Sequence, residues 1–184
     1  LMTDEMVEIF SPILNALSVI ALRSGTLLAT AGSTVEVPNF QHLLKCGESL
    51  SNVQLFPIHF LTPTTFKQDK RYVIFPQESL ILQSLISRWN VSFPEAAMDD
   101  EDAFQALLRG IHIVDYNLHT TRYPMKQVRL PAFQGRISIE TRLPAPMMAL
   151  WTTLYSFAPY AGIGVKTTLG MGGVSMMKAS NLPV

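Results

Sequence analysis

The sequence predicts an α+β chain built around a split β-α-β-β-α-β unit. Two observations carry this. Apolar residues recur with the helical period in some stretches and as short strand-like runs in others. From residue 53 onward, these stretches follow the order strand, helix (with an extra short helix), strand, strand, helix, strand. Hydrophobic residues make up 48% and charged residues 15% of the 184, enough apolar material for a buried core and too little charge for wholesale disorder.

Residues 3–23 read as helical. Thr3 is a candidate cap, Asp4 and Glu5 suit the positive end of the helix dipole, and Met6, Ile9, Phe10, Ile13, Leu14 and Leu17 share one face. Pro12 either kinks this helix or starts a second one. Residues 26–31 and 34–37 read as short strands. Residues 38–51, with Gly47 among polar neighbours, read as a linker.

The second unit begins with a strand over 53–61, where Pro57 points to an edge or a bulge, and a turn over 62–65. A helix over 77–90 places Leu80, Ile81, Leu85 and Trp89 on one face. The run Asp99 to Asp102 opens a short helix that Gly110 ends; its acids suit the helix N-terminus better than they suit a metal ion. Strands over 111–120 and 128–141 form a hairpin, with Pro131 and Gly135 marking a bulge and Arg122, Tyr123 and Lys126 at its tip. A helix over 147–158 carries Met147, Leu150, Trp151, Leu154 and Phe157 on its apolar stripe. A glycine-rich loop leads to a last strand over 174–177. The unit over 52–184 is thus a ferredoxin-like (RRM-like) domain, and 1–51 fits the end of a preceding similar domain plus the linker.

The single cysteine, Cys46, excludes an internal disulfide and a cysteine-rich zinc site, and suits a reducing, cytoplasmic compartment. The acidic start is unlike a signal peptide, and prolines interrupt the most apolar stretch, 143–165, so no membrane partner is expected. The immediate entry into a helix points to a missing upstream portion. The net charge of zero is unevenly spread: seven basic residues stand against two acidic ones over 111–184, a net of +5 there. That asymmetry points to an anionic partner, although an ordinary solvated surface produces it too.

Residues 162–173 concentrate the chemistry. Five glycines, Gly162, Gly164, Gly170, Gly172 and Gly173, surround Lys166, Thr167 and Thr168. Glycine lets the backbone approach a ligand, successive amides can cradle an anion, and the lysine and threonines add charge and donors. The phosphate-binding P-loop needs glycine where Val165 and Tyr160 stand. The dinucleotide fingerprint follows a strand and opens a helix, the reverse of the order here.

The spacing Gly-x-Gly-x-Lys-Thr-x-x-Gly-x-Gly, carried by Gly162, Gly164, Lys166, Thr167, Gly170 and Gly172, resembles the C-terminal signature of the CRISPR-associated endoribonucleases of family six, in the RAMP superfamily. Two further stretches resemble the family: Phe60-Leu61-Thr62-Pro63-Thr64-Thr65-Phe66 at the entry to its second domain, and Leu130-Pro131-Ala132-Phe133-Gln134-Gly135 in its hairpin, where Ala132 replaces a glycine. The resemblance implies processing of precursor CRISPR RNA without metal or other cofactor. In that chemistry a ribose 2′-OH attacks the adjacent phosphodiester and leaves a 2′,3′-cyclic phosphate. It implies CRISPR repeat RNA, and other CRISPR-associated proteins, as partners, and leaves the oligomeric state open.

The family's catalytic histidine lies early in its first domain, so His42, His59, His112 and His119 receive no catalytic role. Lys166 and the loop amides are expected on phosphates, with Arg122, Lys126, Arg129 and Arg136 as a basic stripe and Tyr123 and Phe133 as stacking platforms. Two alternatives stand beside the nuclease: a non-cleaving RAMP-type RNA-binding subunit of an effector complex, and a small-molecule enzyme holding a nucleotide phosphate in the loop.

Overall fold

The computed structural model describes residues 4–22, 25–28, 39–125 and 128–176. Its contacts divide the chain into two units, Leu1–Pro38 and Asn39–Val184.

In the first unit, α1 (Asp4–Ala16) is one continuous helix with Pro12 inside it. It stops earlier than its apolar spacing predicts, because Val19–Leu22 (β1) pairs antiparallel with Gly25–Leu28 (β2), from Val19 opposite Leu28 to Leu22 opposite Gly25. The expected cap Thr3 and the expected strand over 34–37 lie outside the described residues.

The second unit starts with a correction. Phe40–Glu48 is a helix, α2, within the stretch read as a linker. Asn39 caps it by accepting from the His42 amide at 3.1 Å. Gly47 is a packing residue here: a Cβ would meet Thr152 Oγ1 and the Thr153 amide nitrogen, each at 3.0 Å. The unit boundary accordingly falls before Asn39.

The four-stranded sheet has the order β6-β7-β3-β8: β3 is Leu55–Thr64, β6 Ile111–Met125, β7 Val128–Thr141 and β8 Val174–Met176. All three pairings are antiparallel. The first and third strands of the split unit are central, as the ferredoxin-like pattern requires. Helices α3 (Glu78–Ser92) and α5 (Ala145–Ala161) cover one face, and α4 (Glu101–Gly110) is the extra helix, capped by Asp100, which accepts from the Ala103 amide at 3.1 Å. Phe56, Ile58 and Phe60 of β3 alternate toward the helices. Phe56 packs edge-on against Trp151 with ring centroids 5.7 Å apart, and Trp89 likewise against Phe157 at 5.4 Å.

Pro57 lies in this central strand, not at an edge. Gln54 presents its carbonyl to Thr141, so strand alternation turns the Pro57 backbone to the other side. There its carbonyl accepts from Tyr155 Oη at 2.7 Å. The residues read as a turn over 62–65 mostly continue β3. The β3–β7 register shifts between Phe60 and Thr64, opposite Gly135 and Phe133, while β7 stays in step with β6 there. A short hairpin, β4 (Phe66–Gln68) and β5 (Arg71–Val73), follows and turns on Asp69 and Lys70 at φ 48° and 65°.

Candidate RNA interface

Three sequence-distant segments hold the glycine-rich loop. The Gly172 amide donates to the Pro63 carbonyl at 3.1 Å, Val165 to Thr65 at 3.0 Å, and Gly173 to Thr62 Oγ1 at 2.8 Å. Leu61 and Thr62 both donate to the Gly173 carbonyl, which anchors the β3 irregularity. The second segment is α3: Ser84 Oγ accepts from the Gly164 amide at 2.8 Å, and Arg88 donates to the Gly164 carbonyl at 2.6 Å and to Thr167 Oγ1 at 2.7 Å. The third is the hairpin, where Tyr123 Oη donates to the Leu169 carbonyl. Gln134 Nε2 also donates to Leu61 at 2.9 Å. The three stretches singled out in the sequence thus meet in one place.

This geometry gives the glycines a different task from the one their number implies. The amides of Gly162, Ile163, Gly164, Val165, Leu169, Gly170, Met171, Gly172 and Gly173 all bond within the protein. Gly172 is required by crowding: a Cβ there would stand 2.1 Å from the Ile163 carbonyl oxygen, at φ +70°. Among the described residues, only the amides of Lys166, Thr167 and Thr168 within this stretch have no partner. Lys166 itself takes the left-handed conformation, at φ 61° and ψ 33°, and opens a single 3-10 turn, Thr167–Leu169.

Arg88 and Ser84, four residues apart on one helix face, went unread in the sequence; that spacing was the available signal. Burial pulls the Arg88 guanidinium below its ordinary value, and its Nε is buried without a hydrogen-bond partner. Among the described residues the ion pair is Arg142 with Glu140 at 3.5 Å, so no carboxylate offsets Arg88 beneath the loop.

The other candidates divide between two faces of the hairpin. Arg122 stands opposite Pro131 and Arg129 opposite Pro124, whereas Tyr123 stands opposite Leu130 and Met125 opposite Val128. Strand alternation places both arginines on one face and the apolar set on the other. Lys126 lies outside the described residues. Arg136 pairs across to His59 on β3. Phe133 is no platform for bases: it is 1% exposed and packs on Phe60 and Phe66. His42, His112 and His119 are exposed, and His59 is half-buried.

The family model for the CRISPR-associated endoribonuclease Cas6 matches residues 58–174. A protein of that description from Streptococcus thermophilus is 35% identical over 134 residues, which make up 73% of this chain and 55% of that protein. One from Mycobacterium tuberculosis is 27% identical over 123 residues, 65% of this chain and 38% of its own. The chain therefore spans about half the length, or less, of these curated relatives. A solved Cas6 product complex shares the fold with a TM-score of 0.76 at 21% identity, covering 97% of this chain and 75% of that one. Matched over well beyond half its length by that family's model, the chain belongs to the CRISPR-associated endoribonuclease Cas6 family.

Proposed function

We propose that this chain binds CRISPR repeat RNA through the loop at residues 162–173, as part of an endoribonuclease that processes precursor CRISPR RNA without a metal. The observation that carries this reading is the Lys166 turn. Three unpartnered amides, a lysine and the Thr167 hydroxyl sit together on a loop that every neighbouring segment holds in place. Such a cluster matches a phosphate in charge and donor count. Gly162, Gly164, Gly170 and Gly172 shape it, and Arg122 and Arg129 on the hairpin supply further charge toward the RNA backbone.

The reaction assigned to the whole protein is attack of a ribose 2′-OH on the next phosphodiester. It needs an acid–base group and donors for the charge that develops on phosphorus-bound oxygen. The residues here fit the second task, binding and positioning the phosphate backbone. The acid–base group is assigned to none of the four histidines of this chain. Repeat RNA and other CRISPR-associated proteins are the proposed partners. Among the described residues, no helix is long and apolar enough to cross a membrane.

The test is binding and cleavage of labelled repeat RNA in EDTA, beside a scrambled RNA of the same length. Preference for the repeat supports the reading. Equal affinity for both, or no binding at low salt, overturns it. A cut leaving a 2′,3′-cyclic end would place an acid–base group within this chain as well.

A further inference from the structure

The loop and the apolar face of the hairpin enclose a groove of about 690 Å³, a volume typical of small-ligand sites. Tyr72, Tyr123, Met125, Val128 and Leu169 line it, and Lys166 is its charged member. Leu130, Ala132 and Met171 form a buried cluster against which Tyr123 and Met125 pack, so the hairpin side of the groove rests on core. Tyr123 is held by its bond to the Leu169 carbonyl. Tyr72, Val128 and Leu169 keep 37%, 59% and 49% of their surface exposed.

We propose that this groove takes the base of one unpaired nucleotide of the repeat RNA, with that nucleotide's phosphate at the Lys166 turn. The proposal rests on the repeat-RNA reading above and adds a base-recognition site to it. Polarity is the first argument. The groove is lined by aromatic and aliphatic side chains with Lys166 as its charged member, and Lys166 opens the turn that carries the unpartnered amides. A nucleotide has the same layout, an apolar ring joined to an anion. The hairpin is the second argument: neither Arg122 nor Arg129 lines the groove, and the charged residue that does is Lys166, so a backbone phosphate beside the groove finds its cation there. The third is access. A paired base in a duplex is stacked and closed to such a groove, whereas an unpaired one can leave the stack and lie on aromatic side chains. Pre-positioning Tyr123 lowers the ordering cost of that contact.

The experiment uses the full chain and a set of repeat oligonucleotides, each with one abasic position. An abasic site at one unpaired position is expected to weaken binding about tenfold, within the range for one base stacked on an aromatic ring. Tyr72→Ala, on an exposed strand, is expected to weaken intact RNA by the same factor and to erase the difference between intact and abasic RNA at that position. It leaves the salt slope of binding unchanged, whereas Lys166→Ala lowers that slope. Leu169→Ala is a second variant, and thermal melting confirms that both fold. If both variants bind every oligonucleotide like the parent chain, the groove proposal fails while repeat binding stands. If the parent chain binds no repeat RNA, both fail. If a free mononucleotide stabilises the chain as strongly as the repeat does, the groove serves a free nucleotide and the proposal is overturned.

Discussion

Arg88 donates to the Thr167 hydroxyl at 2.7 Å across 79 positions of sequence, and this bond sets how the loop faces outward. An oxygen that accepts from a guanidinium keeps its own proton free to donate elsewhere. The same guanidinium holds the Gly164 carbonyl at 2.6 Å, so one side chain fixes both the shape of the loop and its outward donor.

Removing that fork tests it. Arg88→Ala is expected to lower stability by about 2 kcal/mol, the usual scale for charge-assisted hydrogen bonds, and to weaken RNA binding. Arg88→Lys, a single point charge in place of a planar fork, is expected to recover part of the stability. Urea unfolding and RNA anisotropy on the three proteins check the order; equal midpoints for Arg88 and Ala would refute it.

The glycines are not equivalent. Gly172→Ala would drive a methyl into the Ile163 carbonyl at φ +70°, with an expected loss of roughly 3 kcal/mol or more. Gly170→Ala meets nothing within 4 Å and carries only the strain of φ +84°, on the order of 1 kcal/mol. Thermal melting of the two variants side by side measures the gap, and similar losses would show that crowding is not what selects glycine.

Lys166 governs the salt response. Lys166→Ala is expected to weaken binding of repeat and scrambled RNA alike and to reduce the slope of log affinity against log salt by about one. An unchanged slope removes Lys166 from the phosphate site.

Alkaline stability reports on Tyr155. Burial raises its hydroxyl above the ordinary value of about 10. Above that value the unfolded chain releases this proton while the folded one retains it. The stabilisation is therefore complete below about pH 10 and declines as pH rises further. Tyr155→Phe is expected to flatten this alkaline decline in melting temperature and to cost about 1 kcal/mol at neutral pH through the lost bond to Pro57. A decline as steep as in the parent chain would assign it to other groups.

The periodic helices were legible because burial alone dictates their stripes: Leu80, Ile81, Leu85 and Trp89 of α3, and Trp151, Leu154 and Phe157 of α5, are core as their spacing predicts. The order of elements followed from them. Helix α2 was misread because Gly47 looks like a breaker when its partner helix, 105 residues on, is not in view. The β4–β5 turn uses Asp69 and Lys70 at positive φ, with no glycine to announce it. At the site, spacing singled out Lys166 and the glycines but not the amide bonds that close the loop, since Thr62, Pro63, Thr65 and Ser84 act through contacts some 80 to 111 positions away.

The loop's dependence on the end of β3, on α3 and on the hairpin tip also limits how far it can be transplanted. A synthetic peptide of residues 162–173 would contain every signature residue but not the frame that holds them, since Ser84, Arg88, Tyr123 and the backbone of Pro63 and Thr65 would be missing. Moving this function to another scaffold means moving a discontinuous surface, with the helix turn from Ser84 to Arg88, the end of β3 and the hairpin tip as its support.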